Sequence, residues 1–141
     1  MSEGPEVVLL APTVQMAFAC ENISTDPGGR VTFVNVVDAL YAATFPASTA
    51  SFFAIFGFVS QRAGFLMKPK IEIVGEAGTV ATAVLQDMTF KPDAPVARAI
   101  VGFPGITWPV AGNYVVKFFA NNEVRASFSI TVMPVPGAPT K

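Results

Sequence analysis

Apolar residues in this chain recur at every second position or in short runs, the period of strands rather than helices. Val14, Met16, Phe18 and Cys20 alternate with Gln15, Ala17, Ala19 and Glu21, which predicts a first strand. Asp26-Pro27-Gly28-Gly29 predicts a turn, because proline presets φ and glycine permits positive φ. A second strand is expected over residues 30–41, and Phe45-Pro46-Ala47 breaks the pattern beyond it. Residues 51–61 are the most apolar. Phe52, Ala54, Phe56 and Phe58 fall on one face there, and Phe53, Ile55 and Val59 on the other. Two apolar faces predict a central strand buried on both sides, or buried on one side by a partner.

Arg62-Ala63-Gly64 predicts the next turn, and Phe65, Met67, Ile71 and Ile73 alternate with Lys68, Lys70 and Glu72 as in a strand with one wet face. Gly75-Glu76-Ala77-Gly78 closes it. Residues 79–90 and 96–103 are further strands around Lys91-Pro92-Asp93-Ala94-Pro95, since Thr79, Val80, Thr82 and Val84 outweigh the alanines. A loop carrying Pro104, Gly105, Pro109 and Gly112 precedes the clearest hairpin, residues 114–120 and 124–132 about Asn121-Asn122. From Met133 the chain reads as a proline-rich tail with no core to join. About seven or eight short strands predict an antiparallel β-sandwich, with a small closed β-barrel as the alternative. The expected organisation is an arm at residues 1–12, the sandwich at 13–133 and a tail at 134–141.

Composition sharpens this picture. A length of 141 residues suits one domain, with a folded surface of roughly 7,000 Å². Charged residues make up 13% of the chain, about half the usual share, so extended apolar surface is expected. A net charge of −1 provides no basic field, which argues against general nucleic-acid binding. The lack of histidine removes the commonest general base and metal ligand, and a single cysteine removes disulfide frameworks and multi-cysteine zinc sites. No metal or other cofactor is expected. The acidic residues Glu3 and Glu6 and the short apolar run at 7–11 do not make a signal peptide. Pro46, Ser48, Thr49 and Ser51 break the longest uncharged stretch, so no membrane span is expected. Cytoplasmic location, or assembly into an intracellularly built particle, is the expectation.

Several landmarks resemble a bacterial family of uncharacterised proteins. They are Ala19-Cys20-Glu21-Asn22, Val36-Val37-Asp38-Ala39-Leu40 followed by Phe45-Pro46-Ala47, the Phe-rich strand, and Gly112-Asn113-Tyr114 opening a hairpin that ends in Ile130-Thr131-Val132. Members often carry a Gly-His-like turn after the Phe-rich strand, where this chain has Arg62-Ala63-Gly64-Phe65. The resemblance implies an immunoglobulin-like β-sandwich and supplies no activity or catalytic residues.

Candidate chemistry is sparse. Cys20 lacks a histidine to make its thiolate and shares a face with Met16 and Phe18, so it reads as a small buried hydrophobe. Glu21, Asp26, Asp87 and Asp93 show no calcium-loop spacing, and Gly28-Gly29-Arg30 lacks the ending of a phosphate loop. Tyr114 after Gly112-Asn113 reads as a tyrosine corner. Trp108 reads either as a plug for one end of the sandwich or as an exposed contact anchor. The expectation is a non-enzymatic module that assembles with itself or docks on another protein, through Phe52, Phe53, Phe56, Phe58 and Trp108. A small apolar ligand held among the same phenylalanines is the alternative. A hydrolase with an unrecognised carboxylate site is a third reading.

Overall fold

Strands follow the β-branched and aromatic runs, and turns follow the residues that tolerate turning. The computed structural model describes residues 12–49, 51–60, 66–91 and 96–136. β1 (Thr13–Thr25) and β2 (Val31–Val37) form a hairpin whose turn is held by Asp26. The Gly29 N–H donates to the Asp26 carbonyl at 2.9 Å, with Gly29 at φ 85°. The Arg30 N–H and Nε donate to the Asp26 carboxylate at 2.9 and 2.7 Å.

These donors, the Arg30 backbone N–H first, hold the Asp26 carboxyl below its ordinary value. A carboxyl depressed in the folded state stabilises the fold above its unfolded pKa, about 3.9. That contribution is lost as pH falls through the folded value. NMR shifts of the Gly29 and Arg30 amides should therefore move together below about pH 4. Asp26→Asn should abolish the transition.

The stretch expected as one strand over residues 30–41 is two. The chain turns at Asp38, and β3 (Ala39–Ala42) leaves the first sheet to run parallel to β13 (Glu123–Pro134) in the second. The Asp38 carbonyl accepts from the Thr131 N–H at 3.0 Å at this crossing. Apolar patterning continues through the switch because only the pairing partner changes. The same ladder corrects the tail, since Met133 and Pro134 pair with Tyr41 and Ala42. The Val135 N–H then donates to the Ala42 carbonyl at 3.0 Å. The expected turn at Arg62-Ala63-Gly64 lies outside the described residues.

β5 (Phe52–Val59) is central in the first sheet, between β1 and β10 (Val96–Phe103), and the strand order is β10-β5-β1-β2. The second sheet contains β7 (Pro69–Gly75), β8 (Gly78–Val84) and β12 (Gly112–Ala120), in the order β3-β13-β12-β7-β8. Two ribbons complete the fold: β4 (Ala47–Ser48) with β11 (Thr107–Trp108), and β6 (Leu66–Met67) with β9 (Met88–Thr89). Asn121 and Asn122 at φ 54° and 70° make the tight β12–β13 turn. Both main sheets are open, with edges at β10 and β2 and at β3 and β8, so the architecture is a sandwich rather than a closed barrel.

The core lies between the sheets. Phe52, Ala54, Phe56 and Phe58 of β5 meet Ile71 and Ile73 of β7, Val116 and Phe118 of β12, and Ile130 and Val132 of β13. Phe56 packs on Phe118 and Phe128 at ring separations of 5.1 and 5.4 Å, and Phe58 on Phe118 at 4.8 Å. β1 turns its smaller side chains inward: Ala17 and Ala19 lie opposite Phe56 and Ala54, while Met16 and Phe18 point away. Beside the rings of β5, β1 thus contributes small side chains to the space between the sheets.

One end of the sandwich is closed by Trp108, which is the plug rather than an exposed anchor. Its ring meets Tyr114 edge-on at 4.8 Å, and its Nε1 donates to Thr49 Oγ1 at 2.9 Å. Tyr114 forms the expected corner by donating its hydroxyl to the Val110 carbonyl at 2.6 Å.

Candidate functional site

The sheet register lines up rows of outward side chains across the four-stranded sheet. One row is Arg98, Gly57 and Met16, and the next is Ile100, Ile55 and Phe18. The third is Gly102, Phe53, Cys20 and Val36. The alternate residues, including Ala99, Ala54, Phe56 and Ala19, belong to the core, so these rows face outward. Arg98 is the only charged side chain in them, and it takes part in none of the ion pairs found among the described residues.

The face is paved. A Cβ at Gly57 would lie 2.7 Å from Met16 Cγ, and one at Gly102 would lie 3.2 Å from Phe53 Cε1, so both side chains lie flat across glycines. Phe18 meets Phe33 edge-on at 5.0 Å. Phe33 pairs with Ile23, five positions along β1 from Phe18, a spacing of roughly 16 Å in a straight strand. The far half of the hairpin therefore curls back over the sheet. Asn35, at φ 58°, marks the bend and donates its Nδ2 to Glu21 Oε1 at 2.8 Å. Ile55 and Cys20 are 0% exposed although neither belongs to the core between the sheets. These two side chains are therefore covered on the outer side of the sheet. Val36 stands 64% exposed at its margin, with Ile100 40% exposed near the other edge.

The Cys20 thiol donates to the Asn22 carbonyl at 3.4 Å. Burial pushes its pKa up, and backbone contacts from Val34 and Asn22 pull it down by less. A thiol raised by burial is a poor nucleophile. Its raised folded pKa favours the fold at low pH, and that contribution fades as pH rises through the folded value. A thiol-reactive dye at neutral pH should leave Cys20 unlabelled in the native protein and label it fully once denaturant is added.

Of the residues expected to make contacts, Phe53 alone lies on this outer face. Phe52, Phe56, Phe58 and Trp108 are buried against the chain's own side chains, because the inner face of β5 points between the sheets. Met16, Phe18, Ile100 and Val36 are not among the expected residues. Their sequence signal is Gly57 and Gly102, glycines inside strand patterns, which mark close approach of a neighbour. The acidic residues do not converge: Glu21 holds Asn35, Asp26 holds Arg30, and Asp87 pairs with Lys68 at 3.4 Å. Asp93 lies outside the described residues. Among the described residues no three of His, Cys, Asp or Glu gather as a metal site. No helix among them is long and apolar enough to cross a membrane.

Two face-to-face sheets with a tyrosine corner define an immunoglobulin-like β-sandwich. The chain belongs to the family of unknown function DUF6941, which matches residues 15–133. No curated protein matches it. Among solved structures it is similar to part of the Pseudomonas fluorescens alkylpurine DNA glycosylase AlkC, captured on DNA containing an abasic site analog. That likeness has a TM-score of 0.56 at 12% identity, covering 86% of this chain and 30% of the glycosylase, and shows the fold alone. An immunoglobulin-like protein from Pseudomonas aeruginosa aligns over 89% of this chain and 98% of its own, at 11% identity and a TM-score of 0.40.

Proposed function

We propose that this domain is a non-enzymatic structural or interaction module that assembles with itself, or docks on a protein partner, through the outer face of the four-stranded sheet. The supporting observation is the paving of that face: three rows of side chains across the sheet carry one charge, Arg98. A scaffold, shell, filament or virion-type subunit uses such a surface. Covering ~600–800 Å² of apolar area per subunit would give roughly 15–20 kcal/mol gross, before association costs. That suffices for a stable assembly. Sedimentation velocity at micromolar concentration is the direct test, with Phe53→Asp as the variant that should weaken association. A clean monomer in the absence of any co-purifying protein overturns the reading.

A further inference from the structure

β10 is an edge strand. It pairs with β5 on one side, and no described strand pairs with the other. Edges are commonly protected by proline, several charges, a bulge or shortness. This edge is eight residues long, contains no proline and carries Arg98 as its one charge. The connection from β8 to β9 passes beside it. Leu85, Gln86, Asp87 and Met88 line one side and the β10 edge the other of a shallow, open groove of about 510 Å³. An open ladder edge inside a groove is the arrangement that accepts an extended peptide as an added strand.

The chain itself contains a peptide suited to it. Glu6-Val7-Val8-Leu9-Leu10-Ala11 is a run of apolar and β-branched residues bounded by Pro5 and Pro12. Residues 1–11 include Glu3 and Glu6 and no Lys or Arg, so an acid of the arm can meet Arg98 on the β10 side of the groove, away from Asp87 on the other. Reach decides whose edge it meets. β1 begins at Thr13 opposite Val59, the same end of β5 at which Val96 begins β10. From there the free side of β10 is three strand spacings away, roughly 14 Å. Ala11 is two Cα steps from Thr13, less than about 8 Å. An added strand running the other way would finish farther off still. All six residues therefore cannot pair with their own β10.

We propose that the β10 edge groove accepts residues 6–11 of a second copy of this chain as an added strand. This rests on the assembly reading above and adds to its sheet-face contact a second one, at the edge of the same sheet. The contact is heterologous: reciprocal exchange closes a dimer, and one-way exchange extends a filament or ring.

The test uses the full chain. Val8→Asp combined with Leu10→Asp changes the donor segment and leaves the sandwich intact, which a thermal melt verifies. Sedimentation velocity should show the wild type assembled and this variant with a dissociation constant raised roughly tenfold or more. In parallel, Val8→Cys and Ile100→Cys proteins carrying different mass tags should yield a mixed disulfide dimer when oxidised together. An assembled wild type whose arm variant sediments identically, or that forms no mixed disulfide, overturns this contact and leaves the assembly reading standing. A disulfide formed within single chains carrying both cysteines at high dilution also overturns it. A monomeric wild type overturns this contact, and one that also brings down no co-purifying protein overturns both.

Discussion

Phe56→Ala should destabilise the domain by about 3–5 kcal/mol, read as a lower urea midpoint with an unchanged slope. Phe56 is fully buried and touches Phe118 and Phe128 from across the sandwich, so truncation empties a space walled by rings from the opposite sheet. Neighbouring aromatic side chains are stiff and do not collapse into such a void. Whole-domain stabilities are about 5–15 kcal/mol, so the loss is a large fraction of the total. Phe53→Ala is the matched control. It removes the same atoms from the half-covered outer face and should cost a monomer clearly less. Equal losses at the two positions would show that the alternation along β5 is not as described.

Trp108→Ala should cost a similar ~3–5 kcal/mol for a different reason. The indole fills the end of the sandwich, and its Nε1 bond to Thr49 ties β11 to the segment after β4. The Thr49 N–H also donates to the Ile106 carbonyl at 3.2 Å, so the same two segments are joined twice. Trp108→Phe keeps most of the packing but leaves the Thr49 hydroxyl without its donor. It should cost about 1 kcal/mol for the lost hydrogen bond, because Thr49 is only half-buried and its hydroxyl can turn to water. Because Trp108 is the only tryptophan, unfolding must be followed by circular dichroism rather than by emission. A Trp108→Ala protein with wild-type stability would place the indole outside the core.

Much of the fold is legible in the residues. β10 coincides with its expected span between Pro95 and Pro104, and β5 and the β12–β13 hairpin fall within two residues of theirs, because their β-branched and aromatic runs are long and well marked. The Tyr114 corner is legible too, since Gly112-Asn113-Tyr114 is a local signal answered four residues upstream. The sheet switch at Asp38 is not, because period-two patterning reports which face is apolar and says nothing about the partner strand. Nor is the inversion of β1. There the larger residues look like the inward set, and only the register with β5 shows that Ala17 and Ala19 turn in. The candidate site inherits this limit. Phe53 can be named from the chain, but the rows that join it to Cys20, Gly102 and Val36 exist only once three other strands are in register.

The sheet order also has a kinetic consequence. Three ladders are hairpins between neighbours in the chain: β1–β2, β7–β8 and β12–β13. The ladders that unite them join distant segments, such as Phe18 with Ile55, Ile100 with Ile55, and Lys117 with Glu72. Loop closure must precede such pairings, so folding belongs in the millisecond-to-second range typical of sandwiches. β5, the most apolar strand, is not made until both β1 and β10 have found it. A nascent or refolding chain therefore passes through a period in which its most adhesive strand has two open sides. The step most sensitive to chain concentration is the capture of β5, before the native surface exists.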